Sequence, residues 1–394
     1  MPSLPTPSEA AFQHSRAVLE LIRAEIAAAG GWISFARYME LALYTPGMGY
    51  YSGGAAKFGG AGDFVTAPEI SSLFGMAVAR QAAQVLQLMD GGGGDILEFG
   101  AGTGKLALDL LLELEKLGSL PEQYFILEVS AELQQRQRQL FERFAPHLSA
   151  QVIWLEHFPA KFKGLMLANE VLDAMPVHLV MWRDAGLFER GVAWGGDNFS
   201  WSERALTEGE LYEAACQLTP PIDPDSGAAG AYVSEISLVA RGFMRSLARI
   251  LQQGAVVLID YGFGRSEYYH SQRNRGTLMC HYRHHAHADP FYLPGLQDIT
   301  SHVDFTAVAN AATAAGLELL GYTTQANFLI NCRITETLAR TSVDSTKEYL
   351  PLANQLQKLT SPAEMGELFK VIAVGRNIFQ PLTGFIRGDK SRML

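Results

Sequence analysis

Cysteine is scarce in this chain. Cys216, Cys280 and Cys332 are far apart and odd in number over 394 residues, so no disulfide framework can be drawn, and the scarcity fits a reducing compartment. Long hydrophobic runs are missing as well: none reaches the ~18 residues a membrane helix requires. There is no surplus of positive charge. Lys and Arg number 31 against 41 Asp and Glu, a net charge of −10, which argues against nucleic acid as a main partner because phosphate binding needs a basic excess. The opening "MPSLPTPSEAAFQ" has neither an apolar segment nor Arg-rich amphipathicity, so no export or organelle signal is expected. The reading is a cytoplasmic protein without membrane insertion.

Hydrophobic residues make up 48% of the chain, enough for a substantial core in one large domain with insertions or in two. Helical spacing is read in "FQHSRAVLELIRAEIAAAGG", in "SFARYMELALY" and near Leu73 to Met89. After Gly91–Gly94, strand-like "DILEFG", "QYFILEVS", "QVIWLEH" and "GLMLANEV" alternate with amphipathic helices, which predicts an α/β fold with a mostly parallel sheet covered on both faces. The rhythm breaks twice, first at a β-meander, "VHLVMWRDAGLFERGVAWGGDNFSWSE", and then over the aromatic- and His-rich stretch from Arg265 to Asp304. A helix "VSEISLVARGFMRSLARILQQG", a strand "AVVLIDYGFG", a helix "FTAVANAATAAG", a strand "LELLGYTTQANFLI" and a last strand "FKVIAVGR" complete the pattern. The expected organisation is an N-terminal helical segment and lid loop over 1–90, then a core over 91–394 with inserts at about 178–230 and 265–305. The tryptophans of the meander suit a homodimer surface, a partner site or a small local core.

"DILEFGAGTGKLALDLL" places three glycines between a strand and a helix. A P-loop fails twice here, since Gly104–Lys105 is followed by Leu106 and Phe99 stands where its first glycine should be. Gly102, Gly104 and Ala107 fit a dinucleotide fingerprint, with Glu128 downstream to bind a ribose. Glu98 favours another ligand. A carboxylate at that strand end repels a pyrophosphate and suits the amino group and sulfonium of S-adenosylmethionine. In that case Glu98, Gly100, Gly102 and Gly104 form E-x-G-x-G-x-G, and Glu128 offers two acceptor oxygens to the ribose hydroxyls. A tight turn beside two surface acids would need the same residues.

Other strings then align. "FARYMELALYTPGMGYYS", "GDFVTAPEISSLFG", "LEFGAGTGKLA", "ANEVLDAMPVH", "IDYGFG" and "GTLMCHYRHH" followed by "GLQDITSHVDF" occur in this order. They closely resemble the MidA family, which includes the mitochondrial complex I assembly methyltransferases, over about Ser34 to Phe305. The resemblance implies a class I methyltransferase (Rossmann-like) fold with a seven-stranded sheet, the last pair of strands antiparallel to the rest. It implies S-adenosylmethionine as cofactor and, from the eukaryotic members, a protein arginine as acceptor on a complex I type subunit. The chain looks like a bacterial member.

For the acceptor, Asn169, Glu170 and Asp173 follow the strand "GLMLAN". If a helix starts there, the i, i+3 carboxylates share a face. A guanidinium has a pKa above ~12 and is a poor nucleophile while delocalised, so carboxylates that grip its fork would localise charge and aim one nitrogen. Asn169 and Asp173 would equally suit helix capping. "GDFVTAPEIS" reads as a lid over the donor, with Asp63, Thr66 and Pro68 in contact, or as a plain helix start capped by Thr66. Tyr261, at the end of another strand, lines the acceptor pocket or is an ordinary buried tyrosine. "CHYRHHAHADP" invites a zinc reading, but its spacing matches no standard site and transfer from a sulfonium needs no Lewis acid. A small-molecule acceptor, or a non-catalytic donor-binding assembly factor, would share the donor residues.

Overall fold

A computed structural model describes residues 4–53, 65–221 and 231–394. The chain forms two compact units. One comprises Met1–Phe64, Leu172–Gly242 and Arg265–His302; the other comprises Val65–Val171, Phe243–Gly264 and Val303–Leu394.

The second unit is built on seven strands: β1 (Asp95–Phe99), β2 (Tyr124–Leu127), β3 (Val152–Leu155), β4 (Phe162–Asn169), β5 (Leu251–Phe263), β6 (Glu318–Thr324) and β7 (Phe369–Arg376). Their order in the sheet is β6-β7-β5-β4-β1-β2-β3, and a two-residue strand, Val303–Asp304, pairs with the end of β5 outside this path. Strands β3, β2, β1, β4 and β5 are parallel, whereas β7 is antiparallel to both β5 and β6. Only one strand is therefore reversed, which corrects the expected antiparallel pair. Helix Phe305–Ala314 carries the chain from β5 to β6 as a crossover, and a crossover preserves direction; β7 then fills the gap between them from the other end. Ala255–Ile259 of β5 and Val371–Val374 of β7 are buried at every position, so both faces of the sheet are covered.

The helix after β1, Lys105–Lys116, buries Leu106, Leu110, Leu111 and Leu114, the stripe that its 3.6-residue period puts on one face. Helix Ala131–Phe144 is different. Capped by Ser130 Oγ, it buries only Leu133, Gln137 and Phe141, so an amide occupies the middle of its inward stripe.

In the first unit, helices Glu9–Ala28 and Phe35–Tyr44 start at Ser8 and Ser34, whose hydroxyls accept a backbone N–H three residues on. The meander forms as read. Strand Gly186–Gly195 pairs with Asn198–Ala205 and with His178–Arg183. The start of the expected helix from Val233 is instead strand Tyr232–Ile236, paired with His178–Arg183, and the helix begins at Leu238. Tertiary bonding overrides the local pattern here: the buried Glu235 carboxylate accepts the N–H groups of Thr277 at 2.7 Å and Leu278 at 3.0 Å and the Tyr268 hydroxyl at 3.2 Å. Trp182 is buried and Trp194 packs on Phe199, so much of the meander's aromatic surface is local core. In the second unit the expected strand over 317–330 ends at Thr324, whose hydroxyl caps helix Gln325–Asn331.

Candidate active site

Strands β1 and β4 are neighbours, yet the chain leaves them towards opposite edges of the sheet. Such a switch point opens a crevice at the carboxyl ends of the strands. The glycine turn fills it. Gly100, Gly102 and Gly104 have φ of 62°, 55° and 86°, a region that costs any residue with a Cβ. A Cβ on Gly100 would lie 3.1 Å from the Val171 side chain, and one on Gly104 would lie 3.1 Å from Gln137 Cγ. A Cβ on Gly102 would meet none of the described residues within 4 Å. The turn is thus packed on both shoulders and open at its middle, where backbone can approach a ligand.

Glu98, on β1, is buried, and its Oε2 accepts the Tyr124 hydroxyl at 2.6 Å. Burial pushes its carboxyl up to about 7; the tyrosine bond opposes this, and the Glu128 charge adds to it. Glu128, just past β2, is also buried and raised, chiefly by desolvation. Its Oε1 accepts the Ser130 N–H at 3.0 Å and its Oε2 the Gln137 amide at 3.4 Å. That same amide nitrogen reaches the Gly102 carbonyl at 2.8 Å. Gln137 was not legible as a site residue; the only signal was a glutamine at an inward position of its helix.

No helix follows β4, so the expected i, i+3 presentation of Glu170 and Asp173 does not arise. Glu170 has φ of 54°, which turns the chain sharply. Its N–H donates to Ile259 O at 2.9 Å, and the next N–H, of Val171, donates to Asp260 Oδ2 at 3.1 Å. The buried Asp260 also accepts the Tyr261 N–H at 2.9 Å, so a carboxylate on β5 holds the turn in place of helix bonds. Glu170 Oε1 accepts the Asn169 amide at 3.1 Å and the Ala67 N–H at 3.3 Å. Asn169 Oδ1 is buried and has no hydrogen-bond partner among the described residues. Tyr261 is partly exposed, its ring edge-on to Phe369 at 5.5 Å.

The Ala67 contact belongs to a short helix, Ala67–Ile70, with Thr66 as N-cap by position but without a side-chain bond, and with Pro68 in its first turn. Glu170 supplies the acceptor that Thr66 does not. At the other end Glu69 accepts the Thr103 hydroxyl of the glycine turn. The 66–70 segment is therefore tied both to the turn after β1 and to the turn after β4. Asp63 lies outside the described residues.

Asp173 belongs to the first unit. It is buried, and its carbonyl accepts the Ser301 N–H at 3.0 Å; burial, then Asp298, Tyr44 and Asp173, raise the Tyr51 phenol above its ordinary range. In the His-rich stretch Cys280 is buried, and burial pushes its thiol up. His287 Nδ1 accepts the Asp289 N–H at 3.3 Å. Among the described residues no group of three His, Cys, Asp or Glu side chains is arranged to hold a metal ion, and no helix is long and apolar enough to cross a membrane.

A reversed last strand beside a parallel set, with a glycine turn at the switch point and an acid after β2, defines the class I methyltransferase architecture. Comparison with known proteins agrees. Residues 77–323 match the family described as "Putative S-adenosyl-L-methionine-dependent methyltransferase". A crystal structure of a "likely methyl transferase" from Burkholderia thailandensis bound to S-adenosyl-homocysteine is 50% identical, with TM-score 0.94 and full coverage of both chains. "Protein arginine methyltransferase NDUFAF7 homolog, mitochondrial" of Drosophila melanogaster is 30% identical over 90% of this chain and 83% of its own length. The Danio rerio protein arginine methyltransferase NDUFAF7 is 27% identical over 91% and 87%. The chain belongs to this family, the MidA family of S-adenosylmethionine-dependent methyltransferases.

Proposed function

We propose that this methyltransferase modifies an arginine side chain of a partner protein, in the cytoplasm, with a complex I type subunit as the acceptor that the family resemblance favours. The names of its relatives support a protein arginine. The observation that carries the reading is the Asn169–Glu170 pair at the carboxyl end of β4. There a carboxylate stands beside a buried amide oxygen that has no hydrogen-bond partner among the described residues. A guanidinium has five donors and no acceptor, so it satisfies both.

S-adenosylmethionine supplies an electrophilic methyl on a sulfonium. The open face of Gly102 and the buried acids Glu98 and Glu128 suit its backbone contact, its cationic groups and its ribose. Glu170 stabilises the guanidinium charge and fixes the fork, Asn169 orients one nitrogen, and Tyr261 walls the site. Such alignment is where a direct displacement gains most of its rate. The segment holding Thr66 and Pro68 keeps water from the donor.

The bond from Ala67 to Glu170 also favours a second reading, in which Glu170 only anchors that segment and the protein binds donor as an assembly factor. Glu170→Gln separates the two, because it keeps an acceptor oxygen for Ala67 and removes the charge. Catalysis predicts methyl transfer lowered by about 100-fold or more, with S-adenosylhomocysteine affinity kept. Unchanged transfer to arginine-bearing protein would refute the clamp.

A further inference from the structure

We propose that Gln137 is a positioning residue for the donor and that Trp154 sets which way its amide faces; the proposal rests on the reading that Glu128 takes the ribose hydroxyls. Gln137 is fully buried, although a glutamine on a solvated helix would ordinarily face water. Every polar group of its side chain is engaged. The amide nitrogen donates to Gly102 O at 2.8 Å and to Glu128 Oε2 at 3.4 Å, and the amide oxygen accepts Trp154 Nε1–H at 2.7 Å.

An indole N–H can only donate, and a carbonyl or carboxylate can only accept. Trp154 therefore dictates that the oxygen faces β3 and the nitrogen faces the turn. The flipped amide would set oxygen against two acceptors and NH₂ against a donor. The indole is itself held, with the Arg138 guanidinium 4.5 Å from its ring centre. Below the turn Gln137 Cγ lies 3.1 Å from where a Gly104 Cβ would stand. One side chain thus ties the glycine turn of β1 to the acid after β2 and references both to β3. Gln134, a helical turn earlier, donates to the Glu128 carbonyl at 2.8 Å, fixing the backbone of the same acid. Gln137 and Ser130 set the plane of this carboxylate, towards which the Gly102 and Val129 N–H groups also point.

The test is calorimetric titration of the full chain with S-adenosylhomocysteine for wild type, Gln137→Met, Trp154→Phe, Glu128→Ala and the Gln137→Met/Glu128→Ala double variant, each checked for folding by its melting temperature. Methionine keeps length and volume without the amide. Trp154→Phe leaves the turn untouched and serves if Gln137→Met does not fold. The expected result is about tenfold weaker binding for Gln137→Met, a smaller loss in the same direction for Trp154→Phe, and, when Gln137→Met is added to Glu128→Ala, a further loss smaller than Gln137→Met causes alone, carried by the bond to Gly102. A purely structural glutamine would lower the melting temperature and leave the affinity of folded protein unmoved. Weak binding by Glu128→Ala with wild-type affinity in Gln137→Met and Trp154→Phe, or additive losses in the double variant, would overturn the proposal alone. Wild-type affinity in Glu128→Ala would overturn the ribose reading and this proposal with it.

Discussion

At the scale of single residues, Gly102 and Glu98 answer different questions about the donor. Gly102 has a positive φ and open space beyond it, so a substitution there strains the backbone and fills the approach without striking a neighbour. Gly102→Val should abolish S-adenosylmethionine binding while the protein still unfolds cooperatively, as titration and thermal melting would show. Burial raises the Glu98 carboxyl to about 7. A cationic ligand selects its ionised form, so binding below that value must release a proton. Affinity should rise several-fold from pH 6 to pH 7.5, and Glu98→Gln should flatten that dependence. A profile identical in the variant would remove Glu98 from the donor site. The motif residues were legible because a glycine turn after a strand is written in consecutive positions. Gln137, Asp260 and Trp154 were not, since their roles arise from partners 9 to 89 positions away.

At the scale of elements, the sheet and the glycine turn follow from period and punctuation, and most strands fall where alternating apolar runs predict them. Two of the exceptions share a cause. Tyr232–Ile236 is a strand and the chain after Asn169 is a turn because buried carboxylates, Glu235 bonded to Thr277 and Asp260 bonded to Val171, hold the backbone from distant segments. No local propensity encodes such bonds. The 66–70 segment is the element whose behaviour is most open to test. Tied at Thr103 and at Glu170, it should retard donor release. Thr103→Val should speed S-adenosylhomocysteine dissociation about fivefold and change the association rate little, as stopped-flow displacement would show. An unchanged off-rate would mean that the segment does not gate the donor.

At the scale of the molecule, the buried carboxyls Glu98, Asp109, Glu128 and Glu235 and the partly buried Asp95 are raised, chiefly by desolvation. With folded values above unfolded ones, the native state binds more protons over the interval between them, so the stability they contribute is full below the ordinary carboxyl range and is lost as pH rises through the folded values. For Glu98 that interval runs from 4.5 to about 7. His287, lowered chiefly by burial, acts in the opposite sense. The melting temperature of ligand-free protein should therefore fall between pH 6 and pH 7.5, and a rise would contradict the assignment of these acids as buried and raised. The −10 net charge also suits a protein whose partner brings a cationic side chain.

The measurement that bears most directly on the account is calorimetric titration of purified, ligand-free protein with S-adenosylmethionine, alongside NADH and FAD. A methyltransferase should bind the methyl donor at micromolar concentration, lose that binding in Gly102→Val, and bind neither dinucleotide. Folded protein that ignores S-adenosylmethionine and binds NADH or FAD would contradict it.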